Sequence, residues 1–505
     1  MMFERMVKNW GTVSRVRRGG SGRRSARAPL AVESLEGRQL LATMPMHAMP
    51  QVHTSNSYVK TIPGTGGKFI TGQPLKEPTQ YFSKDGELNV TLHVQQKVVN
   101  VSGRRVFAMI YNNSFDGPTL HLKPGDTLKI SLVNDLPTQV TDLHFHGLHV
   151  SPEGNSDNIF LEIPAGTTFD YVVHIPLDQV SGTYWYHSHA HPNSEGQVFN
   201  GLSGLLEIEG LKQLLPLNLQ GVKEVTMALK DLQVMPNGAI PYTNINSGAP
   251  TTRTINSQVQ PKVSIAPGET QLWHIANIGA DIYYKLAMGG RKFTIIAEDG
   301  YPVWNVTSAT TLLMPPGKRF DVLVQGPPKG VSYLVTKPYS TGPWGDQYPG
   351  VVMATIVSKG TPQTPLPMPT AGLVPKSNLS TAKIDASRTF VFSENPNTNQ
   401  FYINGVQYDP NVVNVTVPLG STEEWTIVNA AQEQHPFHIH INDYQVMSIN
   451  GAPYQANSLQ DTINLPYGGY VVIRQKFTQF KGKFVFHCHI LGHEDNGMMQ
   501  VVEVV

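Results

Sequence analysis

In Leu128-Lys129-Ile130-Ser131-Leu132 apolar and polar residues alternate, the period-2 signature of a strand with one face in a core and the other in water. A Pro-Gly turn precedes this strand and an asparagine ends it, giving PGDTLKISLVN over 124–134. The same frame returns as PGETQLWHIAN at 267–277 and LGSTEEWTIVN at 419–429, with the asparagine nine residues after the glycine in every copy: Asn134, Asn277 and Asn429. The copies lie 143 and 152 residues apart, a domain-sized spacing, so the repeat predicts three related β domains. Elsewhere the chain reads as short β-rich runs punctuated by 45 Gly and 38 Pro, which favours strands and tight turns over long helices. The predicted fold class is all-β, with a first domain over residues 55–215, a second over 216–357, a Pro-rich linker over 358–382 and a third domain over 383–505. No run of about 18 apolar residues occurs, so no transmembrane segment is expected.

Charge separates the body from its leader. The formal net charge is +1, but residues 1–50 carry nine Lys or Arg against Glu4, Glu33 and Glu36, which leaves residues 51–505 five units negative. Such a body offers no Lys/Arg surface to displace counterions from phosphates, so nucleic acid is set aside as a partner. Residues 1–54 are predicted to be a basic, disordered leader. An ordinary secretory signal needs an uninterrupted apolar run of about 7–15 residues, and Ala28–Val32 is too short for one. Arg17-Arg18 resembles a twin-arginine mark without the apolar stretch that should follow, and residues 30–43 resemble an N-terminal sorting segment of exported bacterial proteins. Export is the expectation and a plain basic tail the alternative. MPMHAMPQVH (44–53) gathers Met44, Met46, Met49, His47 and His53, ligand types suited to Cu(I), although a flexible leader without function is the preferred reading.

The only cysteine, Cys488, excludes an intrachain disulfide and stands between two histidines. Ten of the 18 histidines fall in four short clusters, LHFHG (143–147), YWYHSH (184–189), HPFHIH (435–440) and HCHILGHEDNGMM (487–499). On a strand, residues i and i+2 share a face, so His144/His146, His187/His189, His438/His440 and His487/His489 each form a pair projecting one way. One such pair is a weak sign of a metal. Four, divided between the first and third domains, can converge on one place. The same rule turns Cys488 to the opposite face, where it can join His435 and His493 around a copper with Met498 as a weak axial ligand, a blue-copper arrangement. One strand then serves two sites. Structural zinc sites close four local ligands and catalytic ones use about three, so eleven strong ligands over two domains argue against zinc, which also has no redox use for such wiring. The second domain holds one histidine, His274, and is expected to serve spacing and packing.

With these motifs in this order, the sequence over about residues 75–505 resembles the three-domain multicopper oxidases of the laccase type, bacterial members in particular. The resemblance implies three consecutive cupredoxin-like Greek-key β-sandwich domains and four copper ions per chain. A type 1 copper would be held by His435, Cys488, His493 and Met498, and a type 2 copper by His144 and His438. The paired type 3 coppers would take His146, His187 and His489 on one ion and His189, His440 and His487 on the other. The implied reaction is four one-electron oxidations of a donor coupled to reduction of O2 to two waters. A phenol or similar small aromatic is the expected donor, and a Cu(I) or Fe(II) ion the alternative. Glu494 matches the acidic relay position of bacterial members that end in HEDxGMM, and Asp157 matches a second one more loosely because its loop is longer here. Either carboxyl can relay protons, or orient a ligand, or be a solvated acid. His149 and His191 are unmatched and read as neighbours of the clusters. Where the family has a glycine after its HPxHxH motif, Ile441 and Asn442 follow His440. Met498 implies a lower type 1 potential than an apolar residue would give. A non-catalytic copper protein would be expected to have lost ligands, and a two-domain nitrite reductase lacks the third repeat and the full set of eight paired histidines.

Overall fold

The structure, a computed structural model, describes residues 60–505; the basic leader, the sorting-like segment at 30–43 and the Met/His run at 44–53 lie outside the described residues. The chain builds three successive pairs of facing sheets. Strands between residues 80 and 208 form a four-stranded and a five-stranded sheet, while those between 223 and 358 and between 386 and 504 each form a six-stranded and a five-stranded sheet, with a small two-stranded sheet of Tyr339–Ser340 and Gln347–Tyr348 added to the second. Helix is confined to short turns, chiefly Ser194–Asn200 and Leu491–Asp495. Among the described residues no helix is long and apolar enough to cross a membrane.

Each copy of the repeat is an interior strand, paired parallel to an earlier strand and antiparallel to a later one. Thr127–Asn134 lies between Glu87–Val101 and Thr168–His174, Thr270–Asn277 between Lys223–Leu232 and Arg319–Gln325, and Thr422–Asn429 between Ala386–Asn395 and Tyr470–Lys476. The terminal asparagine explains its own constancy. Asn277 Nδ2 donates to the carbonyls of Ile282 (2.8 Å) and Met314 (3.0 Å), while its Oδ1 accepts from the Gly279 N–H (3.2 Å). Asn134 Nδ2 likewise donates to the Ile163 carbonyl and Asn429 Nδ2 to that of Leu465, the latter in the facing sheet. One buried amide thus satisfies backbone groups of both layers where no water could.

Burial along the repeat follows the environment of each copy. Thr127–Asn134 alternates between half-buried and buried residues, as its pattern predicts, but Thr270–Asn277 is buried at all eight positions. The second sandwich lays its outer face on the first, where Trp185, Leu205, Ala228, Ala276 and Ile278 close an apolar interface. A single apolar core runs through the second and third sandwiches, and the first keeps its own. Residues 359–378 form no strand but lie along the second sandwich, with Leu366 and Leu373 against its apolar residues and the Leu373 N–H donating to the Val303 carbonyl at 2.7 Å. The backbone of residues 72–75 runs beside Gln260–Lys262 of that same sandwich.

Replacing Asn277 with Leu keeps the branched shape of the side chain and removes all three hydrogen bonds. Unfolding in urea should show a loss of about 3 kcal/mol, since each buried carbonyl or amide left unpaired costs about 1–3 kcal/mol. An unchanged midpoint would mean that the amide is not what joins the layers.

Candidate metal centres

Two strand pairs, one in the first sandwich and one in the third, present the paired histidines in the same register. His144–His146 runs antiparallel to Gly182–His187 with His144 opposite His187, and His435–Ile439 runs antiparallel to Gly482–Cys488 with His438 opposite His487. The two pairs face each other. The His144 ring stacks on His440 and the His146 ring on His438, both at 3.8 Å between centroids. Eight imidazoles, His144, His146, His187, His189, His438, His440, His487 and His489, are thereby enclosed at 0–1 % exposure.

Their nitrogens fall into two sets. Outward nitrogens are tied to protein: His144 Nδ1 to Asp157 Oδ1 (3.0 Å), His187 Nδ1 to the Ser188 carbonyl (2.9 Å) and His487 Nδ1 to the Cys488 carbonyl (3.0 Å). The opposite Nε2 atoms of His144 and His187 are buried with no hydrogen-bond partner, as is that of His438. Others face one another, His189 Nε2 and His440 Nε2 lying 3.4 and 3.2 Å from His487 Nε2, and His489 Nε2 lying 3.1 Å from His146 Nδ1. Two nitrogens about 2.0 Å from one ion at a tetrahedral angle stand about 3.3 Å apart, so these separations suit shared metal ions. Burial, with the neighbouring imidazoles, lowers His187 to about 3 and His189 to about 4 and holds His144, His438, His440 and His489 well below the ordinary range. They are neutral at physiological pH, the form in which imidazole binds metal.

On the other face of the same strand, Cys488 Sγ lies 3.4 Å from His435 Nδ1 and 3.7 Å from His493 Nδ1, with the two nitrogens 3.2 Å apart. The turn Leu491–Asp495 brings His493 back to the cysteine and sends Glu494 to the imidazoles. Met498 is buried in the same apolar core as Cys488, and its backbone is tied to both neighbours: its carbonyl accepts the Cys488 N–H and its N–H donates to His493, each at 3.0 Å. Burial pushes the Cys488 thiol up, so a cation is needed to hold it as thiolate. Two histidines, one cysteine and a nearby methionine are the donor set of a blue-copper centre. The residue after His440, Ile441, takes φ +68° in a tight turn closed by the Asn442 N–H on the His440 carbonyl (2.7 Å). A glycine would adopt that backbone without strain, whereas here the buried isoleucine side chain joins the core.

Models of the family described as "Multicopper oxidase" match residues 93–213, 223–361 and 381–505. The multicopper oxidase mco of Staphylococcus haemolyticus is 30 % identical over 406 residues, covering 78 % of this chain and 83 % of its own. The chain belongs to the multicopper oxidase family. It is therefore a copper-dependent oxidoreductase built of cupredoxin-like sandwiches. Among solved structures it is similar to a multicopper oxidase of Campylobacter jejuni described as a metallo-oxidase, with TM-score 0.76, 26 % identity and coverage of 88 % of this chain and 98 % of that one. It is also similar to a laccase-like multi-copper oxidase of the lignin-degrading bacterium Ochrobactrum sp., with TM-score 0.72, 25 % identity and coverage of 86 % and 100 %.

The two expected relay carboxyls both touch the imidazoles of this oxidase. Glu494, fully buried, lies 2.9 Å from His487 Nδ1 and 3.6 Å from His189 Nδ1. Burial raises its carboxyl, but His189 and His487 outweigh that and hold it down to about 2. Asp157 accepts from His144 Nδ1 and from the Phe145 N–H (2.9 Å) with one oxygen, and burial pushes it up to about 8. His149 and His191 stand outside both clusters, near Thr478 and Asp495. His274 is a packing residue of the second sandwich, bonded to Asp321 at 2.6 Å.

Several residues around the centres carry no mark in the sequence. Asp461 touches His146 and, with Arg319 of the second sandwich, forms a fully buried two-pronged ion pair at 2.8 and 2.7 Å. Gly317, just before that arginine, has φ +84°, and a Cβ there would press within 3.0 Å of both His146 and His489. These contacts join residues 142 to 315 positions apart. Glu433 lies 3.3 Å from His493 Nε2, and its position two residues before His435 was the one available signal. The second sandwich thus does more than space its neighbours.

Proposed function

We propose that the oxidase couples four one-electron oxidations of a donor at the Cys488 cluster to four-electron reduction of O2 to two waters at the eight-imidazole cluster. The observation that carries this reading is the one strand that places Cys488 on one face and His487 and His489 on the other, so that two peptide links join the clusters. His435, Cys488, His493 and Met498 would hold the type 1 copper, and His144 and His438 the type 2 copper. His146, His187 and His489 would hold one type 3 ion, and His189, His440 and His487 the other. Bound copper, four ions per chain, supplies the reversible one-electron chemistry that side chains lack.

The chain's own groups do the rest. His493 keeps 15 % of its side chain exposed while His435 is fully buried, so the donor meets the protein at the His493 edge. Trp185 stacks on His187 at 4.2 Å and helps keep water from the imidazoles. Glu494 spans two imidazoles that face the same point and is placed to hand on protons from their Nδ1 side. Asp157, bonded to His144 and the adjacent backbone, is placed to orient His144. Export belongs to the same reading and is supported by the basic leader.

A phenolic donor is supported by the likeness to the Ochrobactrum protein, whose description gives activity towards lignin model compounds. A metal-ion donor is favoured by the surroundings of His493. Besides Glu433, a cleft of about 380 Å³ beside the ring is lined by Glu195, Asp281 and Asp495, with no Lys or Arg among its described lining residues. Asp281 is 1 % exposed and one of its oxygens has no hydrogen-bond partner. Carboxylate oxygens suit Fe(II) better than the softer Cu(I).

O2 uptake by the copper-loaded chain should proceed with a methoxyphenol or with Fe(II), after correction for uncatalysed oxidation, and be lost in Cys488→Ser; uptake that survives the substitution overturns the reading. Asp281→Asn should raise KM for Fe(II) about tenfold while leaving the blue colour, and an unchanged KM would return preference to the phenol. Glu494→Gln should slow O2 turnover on the order of a hundredfold with the colour kept, the size of a lost acid–base group. Unchanged turnover would dispose of the relay.

A further inference from the structure

Arg319 begins a strand of the second sandwich, which holds none of the twelve side chains named above as copper ligands. Its guanidinium is fully buried and every contact is directional. Nη1 and Nη2 grip the two oxygens of Asp461 at 2.8 and 2.7 Å, Nη1 also donates to the Gly317 carbonyl (3.0 Å), and Nε donates to the Thr183 carbonyl of the first sandwich (3.2 Å). The adjacent Lys318 donates to the Thr462 carbonyl at 3.0 Å, and Asp299 accepts from the N–H groups of Arg319 (3.2 Å) and Thr462 (3.3 Å). Residues 461–462 of the third sandwich are therefore held from the second by two cations and a carboxylate.

Asp461 touches two imidazoles from different sandwiches. Its Oδ1 lies 3.1 Å from His146 Nε2, and its backbone carbonyl lies 2.9 Å from His438 Nδ1. A carboxylate already bound to a guanidinium, and a carbonyl, can only accept. His146 must therefore carry its proton on Nε2, and His438 must carry its own on Nδ1. The consequence is opposite tautomers in two rings stacked 3.8 Å apart: His146 offers Nδ1 to the cluster, where His489 Nε2 lies 3.1 Å away, and His438 offers its unpartnered Nε2. For His144, His187 and His487 the Nδ1 is tied to protein, as it is for His438, so His146 is reversed relative to these.

We infer that Arg319 and Asp461 are positioning residues for O2 reduction: a clamp anchored in the second sandwich that sets the opposite tautomers of His146 and His438 and so the orientation of one ligand from each flanking sandwich. This rests on the copper assignment above and adds that the reducing cluster needs all three sandwiches. Lysine cannot replace the arginine, because a point charge does not reproduce the two-pronged grip that holds the carboxylate plane.

The test uses the full chain loaded with copper, reading the blue colour of the Cys488 centre, total copper and the EPR spectrum of the type 2 copper. Arg319→Lys and Asp461→Asn should keep the blue colour, weaken copper retention at the imidazole cluster about tenfold or more, and change the type 2 hyperfine splitting, as loss of a partner to a metal-bound histidine does. Asp461→Glu should restore part of the retention. Four coppers with an unchanged type 2 spectrum in both Arg319→Lys and Asp461→Asn would overturn the inference. Should either variant fail to fold, Thr462→Val, which removes the hydroxyl that donates to Asp461 at 2.8 Å and also lies 3.4 Å from His146 Nε2 and 3.5 Å from His438 Nδ1, must still shift the type 2 spectrum, and an unchanged one counts against the clamp. A wild-type chain that binds copper only at Cys488 would refute the copper assignment itself, an outcome separate from failure of the clamp.

Discussion

Everything in this molecule turns on the fact that consecutive side chains of an extended strand leave on opposite sides. At the end of Gly482–Cys488 that rule sends a thiol into the apolar core of the third sandwich and two imidazoles out towards the first. A strand with chemistry on both faces has no solvent face. Both sides must be covered by protein, so a partner sandwich is obligatory and the imidazoles are desolvated. Burial holds His489 well below the ordinary imidazole range, and the neutral ring is the form that binds metal. The wiring, the enclosure and the protonation state are three results of one backbone geometry.

Much of this is legible in the sequence. The His-x-His spacing named the inward faces correctly because period 2 is a local property, and HCH divided into its two faces for the same reason. The Pro-Gly turn, alternating strand and terminal asparagine marked three sandwiches, since the asparagine bonds backbone close to it in sequence at one end and the facing layer at the other. What stayed hidden were contacts between distant segments. Arg319 stands in PPGKRFDVLVQ, which reads as an ordinary turn and strand, and Asp461 in QDTINL, which reads as another. Neither carries a periodicity or spacing that points to the other. Thr270–Asn277 shows the same limit: its pattern predicts a strand, and only the neighbouring sandwich explains why both faces are buried.

The division of labour among the sandwiches follows from these contacts. The first and third supply imidazoles symmetrically, in the same register, while the third adds the thiol. The second gives no imidazole to the clusters but supplies the cation that orients two of them, the glycine that lets its loop approach the rings, and a carboxylate beside the His493 edge. Part of the orienting is thus done from a domain that offers no imidazole to the clusters. Arg319 needs a low-dielectric setting and a fixed partner, and the interface between the sandwiches provides both.

The last strand, Met499–Val504, lies between Val413–Val417 and the strand that ends in Cys488. Among the described residues it is the last strand in chain order, and it completes the sheet around the cysteine strand. Without it the cysteine strand keeps only His435–Ile439 beside it, and its other backbone edge is left open. A chain cut before Met499 would keep every paired histidine and lose the strand that holds the last pair in its sheet. Possessing ligands and enclosing them are therefore separate properties of this fold: the side chains that gather stand ahead of the strand that fixes them.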